Sequence, residues 1–227
     1  MVSGGDTPTE KILGVDEAGR GPVIGPMIVC GVVATEESIR RLEELGVKDS
    51  KELTRQKRVE LKSKIMKTIQ GFHMVEVYPR EIDEAVRRGK LNVLEARKMA
   101  EIMERFNPDV TYIDAPASAP ENFLNVLKNF LKTHRGKIIA ENFADKKYPI
   151  VSAASILAKV RRDMIMEEYC KKYGPMGSGY PSDEVTISFL EKYFRKHKKF
   201  PEIVRLEWET RREILEKITQ SKLSRFF

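Results

Sequence analysis

The sequence predicts an α/β fold: a mixed five-stranded sheet flanked by helices, with a small helical subdomain towards the C-terminus. Three observations predict it. Apolar, β-branched segments come early, at residues 11–16, 27–34 and 73–78. A strand–helix–strand pattern follows between residues 110 and 140, and only helical patterns remain beyond about residue 150. This order suits a hairpin meander to which parallel strands are later added.

The elements follow in order. Residues 1–10 are polar and read as a disordered N-terminus. Residues 11–16 form a first strand that runs into two adjacent carboxylates, Asp16 and Glu17. Successive strand side chains face opposite ways, so both acids cannot enter one core, and the strand is expected to end there. Met27 to Ala34 is continuously apolar, the pattern of a buried strand. Residues 45–54 read as a polar loop, with Thr54 as N-cap of a basic helix over 55–69. A third strand at 73–78 is stopped by Pro79. A helix over 91–106 carries the stripe Met99, Ile102, Met103 and Phe106. Residues 110–114 form a strand that again ends on an acid, Asp114. A helix over 120–133 and a strand over 137–140 come next, with Asp145 in the loop beyond. A long helix over 150–173 closes at Gly174-Pro175. Ser182 is the expected cap of a helix that packs through Phe189, Leu190, Tyr193 and Phe194, and a last helix covers 208–218. The expected divisions are a main domain carrying the sheet at 11–173, a helical subdomain at 174–218 and a tail at 219–227.

Composition narrows the class. The chain has 227 residues, 41 basic against 34 acidic, for a net charge of +7 that favours a polyanionic partner. No run approaches the ~18 apolar residues of a membrane span. Cys30 and Cys170 lack metal-site spacing and there is no secretory leader, so a reduced, cytoplasmic setting and no membrane partner are expected. Cys30 reads as core. His73, His134 and His197 fall in no motif, and none is assigned to catalysis.

Asp16, Glu17, Asp114 and Asp145 form the candidate acid set. Three lie at or just past the ends of separate predicted strands, and in an open α/β sheet such ends converge on a crevice. Four carboxylates brought together repel unless cations lie between them. Hard oxygen donors in that number suit Mg²⁺ or Mn²⁺, and two such ions can bind both the attacking and the leaving oxygen of a phosphoryl displacement. Spacing alone leaves a second reading open, in which each acid is merely solvated. Gly19-Arg20-Gly21 reads either as a plain turn or as bare backbone brought close to a ligand beside one cation.

The run Asp16-Glu17-Ala18-Gly19-Arg20-Gly21-Pro22, continued by Val23-Ile24-Gly25-Pro26, closely resembles the N-terminal signature of the type 2 ribonucleases H, the ribonuclease HII family. The resemblance runs from about residue 12 to 208. It implies a ribonuclease H-like fold and a metal-dependent endonuclease, a monomer, that cuts RNA paired with DNA, isolated ribonucleotides in duplex DNA included. It makes Asp16, Glu17, Asp114 and Asp145 the ligands of two Mg²⁺ or Mn²⁺ ions, and Gly19-Arg20-Gly21 the backbone that reads the ribose 2′-hydroxyl. Tyr180, in Gly179-Tyr180-Pro181, becomes the ring that stacks on the sugar at the RNA–DNA junction; otherwise it is a packed loop tyrosine. Lys48, Ser50 and Lys51, with Ser152, Ser155 and Lys159, correspond to phosphate-contact segments, against a turn and close helix packing as the plain alternatives. A DNA nuclease of the same fold and a non-catalytic clamp-tethered binder remain alternatives.

Gln220, Leu223, Phe226 and Phe227 have the spacing of a sliding-clamp interaction box, with two terminal aromatics as anchors for a partner's pocket. A tail that packs back on its own chain, or plain disorder, is the alternative. The run Arg195 to Lys199 reads first as a solvated basic face and second as a duplex contact. The sequence departs from the family pattern at Phe143, where a lysine is usual, at Glu184, where a proline is usual, and at Leu206-Glu207, where a basic and a small residue are usual.

Overall fold

The computed structural model describes residues 9–47, 53–116 and 119–223, the side chains of 220–223 excepted. The described elements are β1 (Ile12–Ala18), β2 (Met27–Ala34), α1 (Glu36–Glu44), α2 (Arg55–Thr68), β3 (Gly71–Val77), α3 (Pro79–Arg87), α4 (Leu91–Phe106) and β4 (Val110–Asp114). They continue with α5 (Pro120–Lys128), β5 (Lys137–Glu141), α6 (Ala144–Lys147), α7 (Pro149–Tyr173), α8 (Glu184–His197) and α9 (Glu209–Leu223). The strands make a five-stranded sheet in the order β3-β2-β1-β4-β5, with β1 parallel to β4 and β4 parallel to β5. The predicted α/β class and all five predicted strands are therefore present.

Where elements differ from expectation, local chemistry explains it. β1 runs through the acid pair to Ala18 instead of stopping at Asp16. Alternation is still obeyed, with Asp16 buried and Glu17 half-buried. α1 is an unexpected helix, capped by Thr35, whose hydroxyl accepts from the Ser38 amide at 3.3 Å, with Glu36 and Glu37 in its first turn. Pro79 ends the third strand as expected but also opens α3, where a missing N–H costs nothing. α5 stops at Lys128, short of residue 133. The Glu104 carboxylate accepts from the Thr133 hydroxyl at 2.6 Å and from the amides of Lys132, Thr133 and His134, which draws that stretch out of the helix; the hydroxyl first, then the amides, hold Glu104 down at about 2. Asp183, not Ser182, caps α8, accepting from the Val185 amide at 2.9 Å.

The chain divides into two compact units. The first is Met1–Ala18, Val29–Val75 and Asn92–Val160; the second is Gly19–Ile28, Glu76–Leu91 and Arg161–Phe227. A single boundary after residue 173 does not describe this division, because two earlier segments join the C-terminal one. In the second unit Val23 and Ile24 share a core with Met166, Met176, Phe189, Leu190 and Ile214. Asp83, on α3, accepts from the backbone amides of Leu206 and Glu207 at 2.9 and 3.0 Å. Those two positions are thus held through the main chain, and the Glu207 side chain also accepts from Arg87 at 2.9 Å.

In the first unit the β2 residues Val29 to Ala34 are all buried. Met99, Ile102 and Met103 of α4 are fully buried, each contributing about 1.5–3 kcal/mol, while Phe106 is half-buried. Gly31 of β2 lets Ile102 in, since a Cβ there would lie 2.3 Å from its Cγ2. α7 begins directly against β1. A Cβ on Gly14 would lie 2.5 Å from the Ile150 carbonyl carbon and 2.7 Å from the Val151 nitrogen. Cys30 is core, as expected, and burial pushes its thiol up. Among the described residues no helix is long and apolar enough to cross a membrane.

Candidate active site

Parallel pairing builds the site. With β1, β4 and β5 adjacent and parallel, their C-terminal ends lie side by side on one sheet edge. The register sets Val15 opposite Ile113, so Asp16 and Asp114 are the next step along neighbouring strands, about 4.8 Å apart in backbone spacing. The third acid arrives by a sharp reversal. After β5, Phe143 adopts left-handed φ of 57° and α6 starts at Ala144. The Ala144 amide donates to Asp114 Oδ1 at 2.9 Å, and the Asn142 side chain donates to the carbonyls of Ala115 and Pro116 at 3.0 and 3.1 Å. Asp145 is thereby fixed beside β4.

The result is a cluster in which Asp16, Asp114 and Asp145 each offer a carboxylate oxygen within 4.8 Å of the others. Asp16 and Asp145 are nearly inaccessible, at 3% and 1% exposure, and Asp114 is half-buried. Burial above all, then the charges of Glu17 and Asp114, hold the Asp16 carboxyl well above the usual carboxylate range. The Glu17 amide donates to Asp16 Oδ1 at 2.7 Å, and the Ser155 hydroxyl also bonds Asp16. Glu17 is not in the three-acid cluster among the described residues, because strand alternation turns it from Asp16; its charge nevertheless acts on Asp16. Repelling carboxylates held this close and this deep fit a divalent cation between them, and a donor set made only of carboxylate oxygens suits a hard ion.

Two expected phosphate contacts belong instead to the interior. Ser152 and Ser155 are 0% and 1% exposed. Ser152 donates to the Val47 carbonyl and Ser155 serves Asp16, so neither presents a hydroxyl to a phosphate. Lys159 is half-buried on the same helix. Lys48, Ser50 and Lys51 lie outside the described residues, as do Phe226, Phe227 and the side chains of Gln220 and Leu223.

The second unit holds the turn and the tyrosine. Gly19 is buried with φ of 86°, Arg20 is half-buried and Gly21 exposed. A Cβ on Gly19 would lie 2.5 Å from Arg162 Cδ and 2.6 Å from the Pro26 carbonyl oxygen, so this turn requires glycine on two counts. Gly21 borders Tyr180, with 3.8 Å between the site of a Cβ and Cε1 of the ring. Tyr180 is 41% exposed, with the Arg162 guanidinium 5.5 Å from its centroid. Asp183 steadies this loop by accepting from the Ser178 amide and hydroxyl at 2.6 and 2.7 Å, which holds its carboxyl at about 2. The Gly179 carbonyl accepts from the Val23 amide at 2.8 Å, tying the loop to the segment after the turn. Sequence reasoning missed Arg162, Arg205 and Asp83. Each is a charged residue in a charge-rich segment, where exposure is the default reading.

An open sheet that gathers three carboxylates at one edge, in a basic chain, suits the class of metal-dependent nucleases with an α/β fold. Residues 13–211 match the family model for ribonuclease HII. A ribonuclease HII from Pyrococcus furiosus is 47% identical over 223 residues, 96% of this chain and 98% of its own. The crystal structure of ribonuclease H2 from Pyrococcus horikoshii OT3 superposes with a TM-score of 0.84 at 46% identity, covering 91% of this chain and 98% of that one. The RNase HII of Archaeoglobus fulgidus, solved in a complex with PCNA, gives a TM-score of 0.80 at 38% identity, covering 88% and 94%. The chain belongs to the ribonuclease HII family, and it is a metal-dependent ribonuclease.

Proposed function

We propose that this ribonuclease hydrolyses the RNA strand of RNA/DNA hybrids and also cuts on the 5′ side of single ribonucleotides embedded in duplex DNA, leaving 3′-hydroxyl and 5′-phosphate ends. The observation that carries the reading is the convergence of Asp16, Asp114 and Asp145. These three would hold the metal, with Glu17 as a fourth donor. Two divalent ions, Mg²⁺ or Mn²⁺, supply when bound an activated water and charge neutralisation for an in-line displacement. The protein's own part is orientation. Asp114 keeps its oxygen in place through the Ala144 amide, and Asp16 through its neighbouring amide and Ser155. The Gly19-Arg20-Gly21 backbone reads the 2′-hydroxyl, the group that separates RNA from DNA. Tyr180 offers a flat face to the adjoining deoxyribose, and Lys159 contacts a phosphate.

The test is cleavage of three duplexes: a hybrid, a DNA duplex with one ribonucleotide, and the same duplex without it. The expected outcome is cutting of the first two, with a 3′-hydroxyl mapped on the 5′ side of the single ribonucleotide, and none of the third. Comparable cutting of the all-DNA duplex would favour a DNA nuclease of the same fold.

A second element of the reading concerns a sliding clamp. The spacing of Gln220, Leu223, Phe226 and Phe227 and the PCNA complex of the Archaeoglobus fulgidus relative support a tail that docks on a clamp. Replacing Phe226 and Phe227 by Ala is expected to weaken clamp binding at least about a hundredfold while cleavage of free duplex is unchanged, since lost aromatic anchors cost about 2 kcal/mol or more each. Calorimetry with purified clamp measures it, and wild-type affinity in the double variant would refute the assignment.

A further inference from the structure

Arg205 is fully buried, yet it is neither in the acid cluster nor in an ion pair among the described residues. Its guanidinium instead donates to three backbone carbonyls of its own unit: Gly19 at 2.5 Å, Arg20 at 2.7 Å and Gly25 at 3.0 Å. The Trp208 ring lies 4.9 Å from that guanidinium, and its indole N–H donates to the Gly21 carbonyl at 2.9 Å. The carbonyls of Gly19, Arg20 and Gly21 are thus all claimed by two side chains that follow them by more than 180 positions.

Peptide geometry turns this into a statement about the turn's other side. The described chain has no cis peptide, and in a trans peptide the N–H points opposite to the carbonyl of the same unit. Drawing the Gly19 and Arg20 carbonyls towards Arg205 therefore directs the amides of Arg20 and Gly21 away from it. The third peptide ends on Pro22, which has no N–H to present. The arrangement is electrostatically costly: burial, then the neighbouring Arg162, push the Arg205 guanidinium down to about 9. A desolvated cation is kept there because it is the planar, multiply donating group that can fasten several carbonyls at once.

We infer that Arg205, assisted by Trp208, is a positioning residue for ribose selection: it fastens the Gly19-Arg20-Gly21 turn so that the amides of Arg20 and Gly21 are presented to the substrate sugar. The inference rests on the reading that this turn recognises the 2′-hydroxyl. It assigns no contact between Arg205 and the substrate.

Arg205→Lys keeps the charge but loses the planar fork, and Trp208→Phe keeps the ring but loses the N–H. Both are compared with wild type on a duplex containing one ribonucleotide, with binding to the all-DNA duplex as reference and thermal melting to confirm folding. The expected result is that kcat on the single-ribonucleotide duplex falls about tenfold or more in each folded variant, as for one lost hydrogen bond or more, while all-DNA binding stays within about twofold. A merely structural role would lower melting and binding together. Wild-type kcat in a folded Arg205→Lys overturns the inference, and if that variant does not fold, wild-type kcat in Trp208→Phe does so. Should the wild-type enzyme itself cut a 2′-fluoro site as fast as a ribose site, the sugar-reading role of the turn falls, and this inference with it. If wild type discriminates and both variants discriminate equally, only the positioning role is lost.

Discussion

Asp114→Asn is expected to leave a folded protein that no longer cleaves. The substitution keeps the oxygen that accepts from the Ala144 amide at 2.9 Å, so the start of α6 and the placement of Asp145 survive. What it removes is one negative charge from three carboxylates that approach within 4.8 Å. Turnover should fall at least about a thousandfold, the scale on which a lost charge-stabilising group is felt, and raising Mg²⁺ or Mn²⁺ should not restore it. The metal-free variant should melt at or above the wild-type temperature, because a repulsion that burial makes expensive is relieved. Divalent ions should raise the melting temperature of wild type more than that of the variant, since a ligand stabilises the state that binds it. Wild-type turnover in the variant would remove the metal role of this cluster.

Gly14→Ala is expected to damage the fold more than any surface change. The added methyl would meet the backbone of Ile150 and Val151 at 2.5–2.7 Å, and a helix backbone cannot rotate aside as a side chain can. α7 must retreat from β1, at about 3 kcal/mol or more. For a chain of this size that is a fall of about 6–12 °C in melting temperature. Gly71→Ala is the control, because its methyl would meet Val33 at 3.6 Å and Phe106 at 3.9 Å, ordinary contacts. It should melt within about 2 °C of wild type. Equal melting of the two variants would mean that α7 does not press on β1 in this way. Activity in Gly14→Ala should suffer as well, since Asp16 lies two residues further along the same strand and Ser155, which bonds it, lies on α7.

Asp16 and Asp114 were legible because a strand that runs into a carboxylate is a local pattern, and Asp145 because it follows closely on the next strand; the three strands pair in parallel. The depth of the cluster was not legible. Asp16 looked like a strand-ending residue, whereas β1 continues past it and buries it. Ser152 and Ser155 looked like phosphate ligands because small polar residues open both anion sites and tightly packed helices; only the packing against Val47 and Asp16 separates the two. Thr35-Glu36-Glu37 carried a readable helix start that its charge-rich sequel obscured. Asp83 and Arg205 left no local trace, for each acts on backbone more than 100 positions away.

Vectorial synthesis gives that distance a temporal meaning. The polypeptide leaves the ribosome N-terminus first, at about 5–20 residues per second. Gly19 emerges early, but the guanidinium that claims its carbonyl is encoded 186 positions later, a lag of roughly 10–40 s at that pace. A nascent chain that stops short of Arg205 already carries all three clustered carboxylates but lacks the side chain that fastens the Gly19-Arg20 carbonyls. The turn is therefore fastened late in translation, after all three clustered carboxylates have emerged.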